Sequence, residues 1–325
     1  MSKYTDITIG LRHRIKEFFY GLKYLSIKND IDSIDANERN SIISMVDGRM
    51  WHGGITDRFK GIISGALFAQ YLNRPFRIKY TYPFQLTDYL VPNEYDWTID
   101  DKNMSNSIFN SRALCTRHEK GKRMLKVNYD GQIRFYCNVD LTTKLDFAPF
   151  NQDWGKVFNS LFKPSPTLQK ELDRHAMMIG GEYVAMAFRF QNLLGDFKEY
   201  HYKQINNPEY KERLIQANLD EIKNLLASGS FRQKYKKILV TSDSGLFLER
   251  AQQIPNVYAL SGKTAHVDTR NTGNTNHIKA FVDFFMISKA SKVYSVSIDG
   301  MFESDFPKYA AKLMGVPFFR ITRDL

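Results

Sequence analysis

The sequence predicts an α/β protein of two Rossmann-like domains facing across a cleft. Three observations predict it. Short apolar runs at 183–188, 238–240 and 293–296 each end in polar residues: Arg189, then Thr241-Ser242-Asp243, then Ser297 ahead of a turn at Gly300. Runs of that length, separated by helical patterns, read as buried parallel strands. An earlier stretch has the order strand, glycine loop, helix, strand. The chain of 325 residues also exceeds one comfortable core, so two domains are expected, 1–160 and 161–325.

The elements follow in order. Residues 11–25 are basic and carry Phe18, Phe19, Leu22 and Leu25 at helical spacing. They are read as a packed amphipathic helix, with a helix lying on a membrane surface as the alternative. A first strand at 41–46 runs into the loop Trp51-His52-Gly53-Gly54-Ile55-Thr56-Asp57-Arg58. Phe59, Ile62, Ile63, Ala66, Leu67 and Leu72 then fall at the 3/4 spacing of a helix. Asn73-Arg74-Pro75 stops it, because proline disfavours the α-region at the residue before it. Residues 76–82 alternate as a second strand. Residues 83–150 mix aromatic and polar side chains, with a hairpin expected around Asp130-Gly131.

Pro149, Pro164 and Pro166 punctuate the domain boundary. Ser165-Pro166 has the form of an N-cap with proline in the first helical position. Leu168, Leu172, Ala176 and Ile179 form the expected buried stripe of that helix, and Gly180-Gly181 end it. The rest alternates: strand 183–188, helix 208–228, strand at 238, helix 245–253, strand 256–260, helix 277–290, strand 292–296, helix 305–314, strand 317–321. That alternation means a parallel sheet.

Composition narrows the function classes. The chain is 43% hydrophobic and 14% aromatic, which excludes disorder. No apolar stretch approaches the roughly 20 residues needed to cross a bilayer, and residues 1–10 lack a secretory apolar core. Cys115 and Cys137 are too few for a disulfide framework and lack metal-ligand spacing, as expected of thiols in a reducing cytoplasm. The expected location is therefore cytoplasmic, with peripheral membrane contact through the basic leader. Net charge is +11, from 46 Lys and Arg against 35 Asp and Glu, and favours anionic partners. The clusters at 117–123 and 234–237 lack the aromatic interleaving or motif of a nucleic-acid surface. A phosphorylated small molecule fits better.

Ligands of open parallel sheets bind outside the carboxyl ends of the strands, so the strand ends supply the candidate residues. Gly53 and Gly54 let backbone approach a ligand ahead of a helix N-terminus; the alternative is a tight turn with Asp57 as the cap. Arg58 opposes the macrodipole of its own helix, which points to a ligand or partner. Arg189 offers five fixed donors that match phosphate oxygens; the alternative is an ion pair with Asp196 or Glu199. Asp243, beside Ser244, suits a base or ribose, or else the cap of the next helix. His266 and Asp268, in a long polar loop, are further candidates for binding the ligand, without a third partner at fitting spacing for a metal. Ser304, Asp305 and Phe306 open a helix whose hydroxyl and amides suit a pyrophosphate, with ordinary N-capping as the alternative.

Together these pieces resemble the GDP-fucose-dependent fucosyltransferases, the superfamily of nodulation, plant xyloglucan, α1,6- and protein O-fucosyltransferases. Gly53-Gly54-Ile55-Thr56-Asp57-Arg58 is similar to its first glycine loop. Phe188-Arg189 stands where the group has a strand ending in His-x-Arg, with Ala187 in place of the histidine. Thr241-Ser242-Asp243-Ser244 is similar to its Thr-Asp-(Ser/Asp) strand end. Asp283-Phe284-Phe285-Met286-Ile287-Ser288, then Ser304-Asp305-Phe306 with Ala310-Ala311, is similar to its last motif. The resemblance spans about 45–320; residues 83–150 carry no likeness.

The resemblance implies a GT-B glycosyltransferase, inverting and metal-independent, that transfers fucose from GDP-fucose to a glycan or lipid-linked glycan acceptor. GDP-fucose is then the donor substrate, with no cofactor. It implies Arg189 on the donor pyrophosphate, Ser304 and Phe306 near the phosphates or base, Asp243 in the donor pocket, and the 53–58 loop across the cleft. Asp57, Asp196 and Glu199 are the candidate general bases, Asp57 being taken with Arg189 as the catalytic pair. Two other readings stay open. One is the same fold with another nucleotide sugar; the other is a non-catalytic, basic nucleic-acid-binding or scaffold protein.

Overall fold

Buried apolar strands flanked by amphipathic helices account for both halves of the computed structural model, which describes residues 3–50, 52–117, 121–197, 204–260 and 277–325. The chain divides into two units, Met1–Lys163 and Pro164–Leu325.

The first unit contains α1 (Lys3–Tyr24), β1 (Ile42–Val46), α2 (Ile55–Tyr71), β2 (Phe76–Tyr80), β3 (Leu90–Pro92), β4 (Ser111–Thr116), β5 (Gln132–Cys137) and α3 (Trp154–Leu161). The short β6 (Phe162–Pro164) pairs with β3. The main sheet has the order β2-β1-β5-β4, and every pairing in it is parallel. β1 is buried at all positions, as a strand covered on both faces must be. Helix α2 lies very close to the sheet: a Cβ on Gly61 would fall 1.9 Å from the Cys137 carbonyl oxygen. Only glycine allows that approach.

Two expectations fail in this unit. The hairpin at Asp130-Gly131 is absent, because β4 and β5 run parallel, with Ser111 opposite Gln132. Parallel strands need a crossover rather than a tight turn. The leader helix packs by the wrong face for the reading made from its apolar residues. His13 and Tyr20 are buried, whereas Phe18, Phe19 and Leu22 are exposed. Polar anchors decide the orientation. Tyr20 Oη accepts from Arg49 (3.1 Å) and Arg134 (2.9 Å), and Glu17 pairs with Arg123 and accepts from the Cys115 amide (2.6 Å).

The second unit contains α4 (Pro166–Ile179), β7 (Tyr183–Phe188), α5 (Pro208–Ala227), α6 (Gly229–Lys234), β8 (Lys237–Ser242), α7 (Gly245–Ala251), β9 (Val257–Ala259), α8 (Ile278–Ser288), β10 (Lys292–Ile298), α9 (Phe306–Met314) and β11 (Phe318–Arg323). Its sheet order is β11-β10-β7-β8-β9, all parallel. Read from β9, this is the doubly wound order 3-2-1-4-5. Val184, Met186, Phe188, Ile238, Val240, Val296 and Ile298 point into one core with Phe247 and Leu214. Ser165 caps α4 by accepting from the Leu168 amide, and Gly180 ends it at φ 71°. The buried stripe of α4 is Leu168, Leu172, His175 and Ile179. Ala176 is exposed, and His175 takes the inward position with Nδ1 2.6 Å from Tyr258 Oη.

Candidate functional site at the carboxyl edge of the second sheet

In the second unit the strand order reverses between β7 and β10. That is where an open α/β sheet leaves a crevice for a ligand. Phe188 pairs with Val296 on one side and with Ser242 on the other. The residues that follow, Ser297, Arg189 and Asp243, therefore stand at successive positions along the edge.

Arg189 and Asp243 are joined. Arg189 Nη1 lies 3.1 Å from Asp243 Oδ2, and its guanidinium sits 5.0 Å from the ring centroid of Phe197. Asp243 also accepts from the amides of Phe190 (2.9 Å) and Gln191 (2.7 Å) and, at 3.4 Å, from the Ser242 hydroxyl. The amide bonds hold Gln191 at φ 53°, a left-handed conformation that a non-glycine residue keeps only when its surroundings enforce it. Burial pushes the Asp243 carboxyl upward, while Arg189 and the two amides oppose that shift. Asp243 thus organises the end of β7 and aims Arg189. It does not cap the next helix.

The cap is Ser244, which accepts from the Phe247 amide at 3.1 Å and donates to Asp196 at 2.8 Å. The same Asp196 oxygen accepts from the Leu246 amide, so Asp196 belongs to the start of α7 and not to Arg189. Glu199, His266 and Asp268 lie outside the described residues. Ser304 accepts from the Phe306 amide at 3.2 Å, and Pro307 has no amide to give. The opening of α9 consequently has one amide engaged by Ser304 and one position without an amide, and is poorer in donors for a pyrophosphate than the sequence suggests. Phe306 packs edge-on to Phe284, with ring centroids 5.4 Å apart. Asp305 occupies the N-cap position without a side-chain cap bond. Asp283 is buried against Lys279 at 2.7 Å.

The carboxyl edge of the first unit corrects another expectation. Arg58 is buried, and its Nε and Nη1 are held by protein: Nε by the Gly53 carbonyl (3.0 Å), Nη1 by Tyr80 Oη (3.0 Å) and the Tyr82 carbonyl (2.7 Å). The cation that opposes its own helix dipole is there to bind the glycine loop to β2. Gly53 has φ 77° and Gly54 is the N-cap of α2, so Asp57 does not cap; it pairs with Lys60 at 3.2 Å.

Sequence reasoning missed several edge residues. Asp47 follows β1 and accepts from Tyr136 Oη at 2.9 Å, while His52 Nε2 accepts from the Gly48 amide at 3.0 Å. Burial, then Arg58 and Arg117, push the His52 imidazole down to about 3. In the second unit Tyr210 donates to Asp299 at 2.6 Å, with Asp299 at φ 44°. The same signal, a polar residue directly after an apolar strand, would have found Asp47 and Asp299. Among the described residues no group of three or more His, Cys, Asp or Glu could hold a metal ion.

No protein-family model matches the sequence, and no curated protein matches it. Solved structures do match. NodZ α-1,6-fucosyltransferase soaked with GDP-fucose aligns with a TM-score of 0.53 at 13% identity, over 86% of this chain and 94% of that one. The fold is shared. NodZ co-crystallised with GDP aligns with a TM-score of 0.54 at 13% identity, over 84% and 91% of the two chains. Fucosyltransferase NodZ from Bradyrhizobium aligns at 0.53 and 13%, over 83% and 91%. The predicted α/β architecture is thus found in the chain and in its structural neighbours.

Proposed function

We propose that the protein is an inverting glycosyltransferase that moves fucose from GDP-fucose to a glycan hydroxyl without a metal ion. One observation carries the reading: Arg189 stands at the strand-order reversal, clamped by Asp243 and Phe197, with 20% of its side chain exposed. In the reaction, the bond between the fucosyl anomeric carbon and the diphosphate oxygen breaks. The acceptor oxygen forms the new bond from the opposite face and gives its proton to a base. The departing diphosphate gathers negative charge, and a fixed guanidinium stabilises that charge without reorganisation. Asp243 acts as a positioning residue. The structural neighbours soaked with GDP-fucose or crystallised with GDP support this donor class.

A thermal-shift panel tests the reading. GDP should stabilise the protein, by about 2.7 kcal/mol at 100 times its dissociation constant, and UDP and ADP should do less. A shift with UDP alone would move the assignment to another nucleotide sugar. No shift with any nucleotide, together with steeply salt-dependent binding of nucleic acid, would support the scaffold reading instead.

A further inference from the structure

Leu11, Ile15, Phe18, Phe19 and Leu22 of α1 are between 48% and 67% exposed. At 3.6 residues per turn they fall on one stripe roughly 100° wide. The opposite face, with His13, Glu17 and Tyr20, is the one fixed to the first unit. The helix therefore already has its packing face, and the apolar stripe contributes nothing to the core. Arg12, Lys16 and Lys23 run along one flank of the stripe and Arg14 along the other, all exposed. Beside Arg14 opens a pocket of about 470 Å³ between α1 and β4, whose lining adds Arg112, Arg123 and Lys126. Its carboxylate, Glu17, is already paired with Arg123.

We propose that α1 docks the protein on an anionic phospholipid surface, with the stripe entering the acyl boundary and the flanking cations meeting the lipid phosphates. Apolar width with basic flanks is the arrangement that holds an interfacial helix in the membrane plane, since long cationic side chains cover apolar surface while their charges reach outward. Charge selects this occupant over a second copy of the chain. Glu17 is the one acid between residues 11 and 23, and it lies on the packed face, so two such stripes would bring cation against cation. The inference does not depend on the sugar-transfer reading.

The test is co-sedimentation of the full chain with vesicles of phosphatidylcholine alone and of an equimolar mixture with phosphatidylserine, at low and high salt. Binding should require the anionic lipid and weaken with salt. Phe18→Ser with Leu22→Ser should reduce partitioning at least about tenfold, and Lys16→Gln with Lys23→Gln by about fivefold per charge. All four side chains are exposed, so the variants should melt like the parent. Three results would overturn the proposal: the full chain staying in the supernatant with anionic vesicles, equal binding to both vesicle types, or a solution dimer that Phe18→Ser with Leu22→Ser dissociates.

Discussion

Arg189 and Asp243 meet across the ends of adjacent strands at 3.1 Å, yet the cation keeps 20% of its side chain exposed while the carboxylate keeps 1%. The pair is asymmetric by construction. Asp243 faces inward to hold the Phe190 and Gln191 amides, and Arg189 faces outward at the crevice. A half-buried guanidinium anchored to a buried carboxylate has its position set by the fold rather than by solvent.

Removing the anchor should therefore damage the fold. Asp243→Ala strands two backbone amides and a cation, and is expected to destabilise by about 3 kcal/mol, the low end for a broken buried pair. Asp243→Asn keeps one acceptor and should cost about 1–3 kcal/mol. Urea denaturation of the two variants checks the order; equal stability of both with the parent would mean the carboxylate carries no structural role.

Arg58→Ala should also destabilise, by about 2 kcal/mol or more, because two carbonyls and a tyrosine hydroxyl lose a buried donor. The surviving folded protein should keep its response to GDP. An Arg58→Ala protein of parental stability that no longer responds to GDP would restore Arg58 as a ligand-binding residue.

Gly61→Ala sets two effects against each other. Alanine is favoured over glycine inside a helix by about 1 kcal/mol, but its Cβ would meet the Cys137 carbonyl oxygen at 1.9 Å. The clash wins, for a net loss of about 1–3 kcal/mol. Gly21→Ala, with no atom within 4 Å of the new Cβ, should be neutral or stabilising. Melting temperatures of the two variants moving in the same direction would contradict the close packing of α2.

His52 predicts a pH dependence. Its imidazole is held neutral down to about 3, whereas an unfolded histidine protonates near 6.5. Between those values the unfolded chain binds the extra proton, so stability is fully present above about 6.5 and falls as pH falls, by at most about 1.4 kcal/mol per pH unit. His52→Gln keeps an acceptor for the Gly48 amide and removes the titration. Its stability should decline less steeply from neutral to mildly acid pH; parallel curves would place the acid sensitivity elsewhere.

Much of the second unit is legible in the sequence, because its strands are continuous apolar runs between polar caps. Residues 183–188 are read and found as β7. The first unit hides β4 and β5, since Arg112, Gln132 and Arg134 interrupt their apolar pattern. Gln132 and Arg134 are buried only because distant residues meet them: Glu38 and Asn103 accept from Gln132, and Tyr20 from Arg134. The same blindness to distant partners turns Arg58, bound to Tyr80 and Tyr82, into an apparent ligand residue. For α1, periodicity separates two faces but does not say which is inward. Arg189 and Asp243 are both visible as strand ends; their union depends on the register of β7 against β8, which no local pattern encodes.

The most direct test of the central claim is turnover of GDP-fucose by Arg189 variants, measured as GDP release and scaled to the folded fraction. Arg189→Lys keeps a cation beside Asp243 and so preserves the fold, but loses the bidentate fork. Arg189→Ala loses both and leaves a buried carboxylate unpaired. If Arg189 stabilises the leaving diphosphate, alanine should lower kcat/KM on the order of 10²–10³-fold. Lysine should recover only part of that loss, and GDP affinity should weaken less than turnover in both. A folded Arg189→Lys or Arg189→Ala protein that turns over GDP-fucose at the parental rate would contradict the account.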